Sequence, residues 1–375
     1  MDEAFPLLFS PFELGSRTLR NRICLAPTTR QIAEVDGTPT PAMRDYWVSR
    51  VRRGVALVFT EGVYFSEEDG CKGYPHQSGI CDAKHEAAWR EIAAAIHEAG
   101  GLCILQLQHA GRLADPIDLA PGEQPRSASD THAPGYVIFT DSEAEKELRG
   151  WDHLPFRRYA PARALEVEEI HQIAGQFAEA AQRAVRCGFD GVEVHGANGF
   201  LIDQFFNARI NRREDAFGGT PTRRSQFALL VCQRVRQALG PEPIVTLRLS
   251  QDRIDGLLEA YPEGVAEARE IAQALRDAPV DALHWASFAW DDNRDPHSEE
   301  IIPQVLRAES GKPVIVNGGV HQGSVAEHIL ATGVGDLVAV GRPFFANPDW
   351  VERVRTGEPQ RWRAFHRRYV VDPPL

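Results

Sequence analysis

His195 and Asn198, three residues apart in Val194-His195-Gly196-Ala197-Asn198, follow a short apolar run at Gly191 to His195. Placed just past the C-terminal end of a strand, an imidazole N–H and an amide N–H at that spacing can converge on one oxygen. Such a pair polarises a carbonyl. As hydride reaches the β-carbon of an α,β-unsaturated carbonyl, enolate charge grows on the oxygen and the two donors stabilise it. The competing reading is a histidine satisfied by backbone and an asparagine in a turn. Arg248, in Thr246-Leu247-Arg248-Leu249-Ser250, and Gln106, in Ile104-Leu105-Gln106-Leu107, each interrupt an apolar run. Burying an unpaired guanidinium costs too much to be incidental, so Arg248 either meets a ligand or closes an ion pair across the core.

A second group of residues is suited to an anion. Val314-Ile315-Val316-Asn317 runs into Gly318-Gly319, and Leu337-Val338-Ala339-Val340 runs into Gly341-Arg342-Pro343. Glycines let backbone N–H groups approach closely, and a guanidinium offers a bidentate fork. Singly, glycines after strands are turns. Two such loops closing a strand-helix alternation match the phosphate site of an eightfold barrel, which predicts a phosphorylated cofactor.

The elements that must carry these residues are legible as eight short, β-branched-rich runs. They lie at Ile23 to Pro27, Leu57 to Glu61, Leu102 to Leu107, Gly191 to His195, Ile244 to Leu249, Ala282 to Ala286, Val314 to Val316 and Leu337 to Val340. Continuous apolar runs suit parallel strands buried on both faces. Between them fall amphipathic helices such as Glu168 to Cys187, closed by Gly188, and Arg224 to Leu239, stopped by Gly240-Pro241. The alternation predicts an α/β fold, a (β/α)8 TIM barrel forming one domain over residues 1–375. Met1 to Asn21 should form a bottom plug or hairpin turning at Gly15-Ser16. Residues 114–165, too long for a simple loop, should cap the barrel mouth.

Composition excludes several alternatives. With 43% hydrophobic and 25% charged residues the chain can bury a large core, and its net charge of −12 disfavours nucleic-acid and anionic-membrane partners. Six cysteines without C-x-x-C spacing indicate no metal or iron–sulfur site, and most should be free thiols. No run approaches a membrane span and the N-terminus lacks a signal-peptide pattern, so a cytoplasmic location is expected.

Longer motifs carry a family resemblance. Leu8-Phe-Ser-Pro-Phe-Glu-Leu-Gly15, Asn21-Arg-Ile-Cys-Leu-Ala26-Pro27, Gln106-Leu-Gln-His109-Ala-Gly-Arg112, Gly188 through Phe205, Asn211 through Gly219 and Val340-Gly341-Arg342-Pro343 resemble the Old Yellow Enzyme family of FMN-dependent ene-reductases over nearly the whole chain. The resemblance implies a TIM barrel, FMN, NADPH or NADH as reductant, and a small activated alkene as substrate. It places Arg248 at the flavin N1 and O2 side and Gln106 on the pyrimidine half. Thr29, in Ala26-Pro27-Thr28-Thr29, is placed beside flavin O4, where its hydroxyl would stabilise the reduced ring. Pro27 sets the register that favours Thr29 over Thr28, and Gly62 after strand two gives the ring edge close backbone access. Gly318, Gly319, Gly341 and Arg342 form the phosphate site.

One departure matters. Relatives typically carry a tyrosine two residues after the asparagine and assign it the proton given to the α-carbon; here stands Phe200, which has no exchangeable proton. Tyr136 or Tyr159 from the capping insertion could substitute. Gln108, where a tryptophan is usual, implies a reshaped substrate pocket, and Trp285 and Trp290 either border it or are core or lid aromatics. His109 and Arg112 are assigned no chemistry. The charge runs Glu143 to Glu147 and Arg361 to Tyr369 read as solvated faces, and the second could dock on a neighbouring subunit in a homodimer; a monomer is equally compatible. Two other functions stay open: nitro or quinone reduction on the same fold, and a non-redox barrel binding a phosphorylated metabolite.

Overall fold

The computed structural model describes residues 4–138, 143–150, 153–254, 261–357 and 362–375. Eight parallel strands close into one barrel: β1 (Ile23–Leu25), β2 (Leu57–Val63), β3 (Leu102–Leu107), β4 (Gly191–Asn198), β5 (Ile244–Arg253), β6 (Ala282–Ala286), β7 (Val314–Asn317) and β8 (Leu337–Val340). They are neighbours in chain order, and β8 returns to pair with β1 through Val338 to Val340 against Ile23 to Leu25. Helices α1 (Pro41–Arg52), α2 (Ala83–Glu98), α3 (Val167–Arg186), α4 (Gln226–Leu239), α5 (Gly264–Ala274), α6 (Ile302–Ser310), α7 (Gly323–Ala331) and α8 (Trp350–Thr356) follow the strands in turn. The barrel is therefore the one the alternation predicts.

Period-two alternation sorts each strand into two cores. One set of side chains, including Val192, Val194, Leu247, Trp285 and Val316, packs outward with the helices. The other, including Cys24, Leu57, Phe59, Ile104, Ile244, Ala282, Ile315 and Leu337, fills the lower barrel interior. Its floor is the N-terminal hairpin, Phe12–Leu14 against Arg17–Leu19, whose Leu14 and Leu19 join that interior cluster. The turn falls at Gly15 and Ser16, with Gly15 in the left-handed region at φ +57°.

Several boundaries differ from those predicted. β2 and β4 each run further, so Gly62 and His195 lie inside strands and Asn198 is the last residue of β4. The helix expected from Arg224 is two pieces, Pro221–Arg224 and α4, joined at Ser225, whose hydroxyl donates to the Pro221 carbonyl at 2.8 Å. The capping insertion holds a small sheet, Arg126–Ser127, Thr131–His132 and Pro161–Ala164, and a helix, Glu143–Arg149; its residues 139–142 and 151–152 lie outside the description.

The two charge runs are not wholly solvated. Lys146 is 4% exposed, with its ammonium over the Phe156 ring at 4.5 Å. The C-terminal tail folds back on its own barrel: the Arg30 guanidinium donates to the Val370 carbonyl at 2.8 Å, and Arg50 donates to the Pro374 carbonyl at 2.8 Å. Arg361 lies outside the described residues. All six cysteines are free. Among the described residues no helix is long and apolar enough to cross a membrane.

Candidate active site

The upper barrel interior is polar. His195, on β4, is 4% exposed, and its Nδ1 accepts the Ala197 N–H at 3.3 Å. An accepting Nδ1 in a neutral ring leaves the proton on Nε2, as a donor. Burial, reinforced by the Arg248 charge, pushes the imidazole pKa down to about 3 and keeps it neutral. Asn198 adopts φ +61°, a left-handed conformation that asparagine tolerates better than most residues. Its N–H donates to Ser250 Oγ at 2.7 Å and its carbonyl accepts from Ile254 N–H at 3.2 Å, so β5 and the residue just after it hold the turn.

Phe200 stacks edge-on against His195, with ring centroids 5.0 Å apart, and closes an apolar cluster with Tyr74, Val137 and Tyr159. The capping insertion thus reaches the mouth as predicted. Of the two tyrosines considered as substitutes for a phenol at 200, Tyr159 belongs to this cluster, though its hydroxyl accepts from Ile138 N–H at 3.2 Å. Tyr136 is 36% exposed and its hydroxyl accepts from Arg158 at 3.1 Å. A third tyrosine was not anticipated: Tyr74, fully buried, sets its hydroxyl 3.3 Å from Thr29 Oγ1 and 3.4 Å from the Gly62 carbonyl. Burial raises its pKa, so it remains protonated. No local pattern marks it, because Thr29 is 45 residues away.

Gln106 and Arg248 share one buried network. Glu193 on β4, fully buried, accepts Gln106 Nε2 at 2.8 Å, Thr246 Oγ1 at 3.1 Å and His284 Nδ1 at 2.7 Å. Arg248 donates to Asn317 Oδ1 at 3.0 Å and lies 3.3 Å from His284 Nε2. Glu193, His284 and Asn317 escaped the sequence reading, although Glu193 and His284 interrupt apolar runs just as Arg248 does. Gly62 leaves room for Gln108: a Cβ there would meet the Gln108 amide and force that side chain to move. Two buried donors, Arg248 Nε and Gln108 Nε2, have no partner among the described residues. Unpartnered buried donors facing the barrel mouth suit a ligand or water position.

Beside this layer, Ala26, Thr28, Gly319, His321, Gly341 and Arg342 line a cavity of about 110 Å³. Gly318 sits at φ +130° and a Cβ there would collide with the Ser287 carbonyl, whereas a Cβ on Gly341 would meet only Thr28 and Ala26 at 3.5 and 3.7 Å. Gly318 is therefore demanded by the protein, while Gly341 keeps the cavity wall low. Arg342, exposed, stands at the rim.

The remaining candidates separate from the mouth or stay silent. Trp285 is a fully buried wall residue packed in the outer core, and Trp290 packs against the same core beside His328 at 5.8 Å. His109 is neutral, its pKa pushed to about 3 by burial, and its Nδ1 accepts Gly111 N–H at 3.1 Å. His97, Cys103 and Asp190 converge at the opposite end of the barrel, where ligand-type atoms lie within 4.8 Å of one another. There Asp190 Oδ2 already accepts from Cys103 N–H at 2.9 Å and bonds His97 at 2.8 Å, a strand-anchoring arrangement.

Comparison with known proteins agrees with this fold. Residues 7–361 match the model of the NADH:flavin oxidoreductase / NADH oxidase family. The chain is 33% identical to an NADH oxidase of Thermoanaerobacter brockii over 94% of its length, spanning 51% of that longer protein. It is 30% identical to 12-oxophytodienoate reductase 7 of Oryza sativa subsp. japonica, covering 93% of this chain and 87% of the relative. Among solved structures, the Old Yellow Enzyme homologue of Zymomonas mobilis superposes with a TM-score of 0.83 at 31% identity, over 99% of this chain and 100% of the other. Morphinone reductase in complex with tetrahydroNAD gives 0.79 at 31% identity, over 98% and 97%. The chain is a flavoprotein oxidoreductase of the NADH:flavin oxidoreductase, or Old Yellow Enzyme, family.

Proposed function

We propose that this protein is an FMN-dependent ene-reductase that draws hydride from NADH or NADPH and delivers it to the β-carbon of α,β-unsaturated carbonyl or nitro compounds. The observation that carries this reading is His195: buried, neutral, with its proton on Nε2, and followed by Asn198 at the barrel mouth. A neutral donor can stabilise a growing enolate oxygen without surrendering its proton to it. The names of two relatives, a morphinone reductase and a 12-oxophytodienoate reductase, support a carbonyl-conjugated alkene as acceptor.

When bound, FMN supplies the two-electron carrier between nicotinamide and alkene. The residues present suit it. Gly318, Gly319, Gly341 and Arg342 are assigned to its phosphate, Arg248 to the N1 and O2 edge, and Gln106 to the pyrimidine. Thr29 is assigned to O4, while Ala26, Pro27, Thr28 and Gly62 border the ring. His195 and Asn198 hold the substrate oxygen, and Phe200 and Gln108 shape the space around it. Heat denaturation followed by analysis of the released flavin tests the cofactor. FAD, or flavin that stays on the chain, would contradict it.

A second acceptor class is favoured by one residue. Because Phe200 cannot donate a proton, acceptors whose reduced form needs no prompt protonation at carbon, such as quinones, maleimides and nitro compounds, are served best. Steady-state comparison of cyclohexenone, maleimide and a nitroalkene separates the two. A strong preference for cyclohexenone would show that another acid does the work of the missing phenol. Membership of a flavoprotein family sets aside the non-redox barrel.

A further inference from the structure

We infer that Glu193 is a charge-balancing residue, which through His284 offsets the Arg248 guanidinium and thereby sets how strongly the site favours reduced over oxidised flavin. The inference rests on the FMN reading above. Its basis is a closed chain of contacts whose proton positions are determined. Arg248 is a donor only, so the His284 Nε2 that lies 3.3 Å from its Nη1 must accept. The His284 proton then sits on Nδ1, where it donates to Glu193 Oε2 at 2.7 Å. A neutral imidazole thus bridges one buried anion and one buried cation, whose nearest charged atoms stand 4.0 Å apart.

Each end of the chain is tied elsewhere. Gln106 and Thr246 also donate to the carboxylate, and Arg248 is steered by Asn317, whose own amide donates to the Ala339 carbonyl at 2.7 Å. Burial alone would raise the Glu193 pKa, but His284, Arg248 and Gln106 outweigh it and hold the carboxylate ionised. Glu193 and His284 are fully buried, and Arg248 is 4% exposed. At such depth a unit charge is weakly screened, so deleting the carboxylate leaves Arg248 uncompensated. An uncompensated cation beside the flavin binds the anionic reduced ring more tightly than the neutral oxidised one. Glu193 therefore holds the potential down through its offset of Arg248.

The test is the midpoint potential of the bound flavin in Glu193→Gln, measured by dye equilibration on the holoenzyme. The expected result is a positive shift, with the reduced-to-oxidised affinity ratio rising at least tenfold, about 30 mV for a two-electron couple. Thr246→Val removes a hydrogen bond to the same carboxylate while keeping its charge, and should leave the potential near wild type. If Glu193→Gln fails to fold, Glu193→Asp, which withdraws the charge from His284, should shift the potential in the same direction by a smaller amount. A holo Glu193→Gln at wild-type potential, or an equal shift in Thr246→Val, overturns the inference. Wild-type protein purified without FMN instead defeats the reading beneath it.

Discussion

The lower and upper halves of the barrel interior are built from the same strands and differ only in what those strands place inward. On β5 the inward series is Ile244, Thr246, Arg248, Ser250; on β3 it runs from Ile104 to Gln106, with Gln108 just past the strand. Below, Leu57, Phe59, Ile104, Ile315 and Leu337 are all fully buried over the hairpin floor. Above, Glu193, His195, Arg248 and His284 are as deeply buried and yet polar or charged. Burial therefore does not distinguish a core from a site. What distinguishes them is whether every buried group finds its partner inside the protein: the lower half needs none, while the upper half leaves Arg248 Nε and Gln108 Nε2 open.

That contrast can be broken from below with the largest effect. Ile104→Ala should cost about 2–5 kcal/mol of stability by urea unfolding, with the flavin spectrum of the folded fraction unchanged. A spectral change would show that the two halves are coupled. From above, His195→Ala or Asn198→Ala should raise the barrier of alkene reduction by about 2–4 kcal/mol, with flavin reduction by nicotinamide less affected. Stopped-flow traces read the two half-reactions separately, and equal losses in both would remove the oxygen-holding role.

Phe200→Tyr restores a phenol beside His195. It should accelerate cyclohexenone reduction by about 10²-fold where proton transfer limits the rate, and maleimide reduction much less. An unchanged ratio would transfer the role to another acid, and loss of enone activity in Tyr74→Phe or Tyr159→Phe would then identify it. Arg342→Ala removes a charged hydrogen-bond donor worth about 1.5–3 kcal/mol, so FMN retention after dialysis should fall while the fold persists. Full retention would move the phosphate elsewhere.

The smallest effect is one of pH. With the His195 pKa held near 3, alkene reduction should show no inflection from this ring between pH 5 and 8. His109 is held at about 3 as well, so unfolding below pH 6.5 takes up protons that the native rings refuse. Both contributions to stability are complete above the unfolded value and decline as pH falls from 6.5 towards 3. An acid-side rate limb at pH 6 to 7 that vanishes in His195→Asn would contradict the neutral-donor assignment.

The barrel was legible because eight apolar runs alternate with helices, and long motifs fixed the site's frame. Strand ends were less so: hydrophobicity fades at Gly62 and Asn198, but hydrogen bonding to neighbouring strands continues, and only pairing partners reveal that. Arg248 and Gln106 stood out as polar interruptions, and the same test applied to Glu193 and His284 would have found the whole network. Tyr74 had no such signature, since a tyrosine in a polar loop becomes a site residue only when folding brings Thr29 to it. Lys146 was misjudged because a lysine among glutamates hides its aromatic partner, Phe156, ten residues on.

The pairing of β8 with β1 has a consequence for how the molecule assembles. These are the first and last strands of the barrel, so the seam forms between segments more than 300 residues apart in sequence, the most expensive loop to close. The anion cradle straddles that seam, with Ala26 and Thr28 on one side and Gly341 and Arg342 on the other. A molecule seated there would contact both sides of the join and so favour the closed ring over an open one. If the proposed FMN phosphate sits in that cradle, flavin-depleted protein should be cut faster by a protease than the holoprotein, and equal rates would separate cofactor binding from barrel closure.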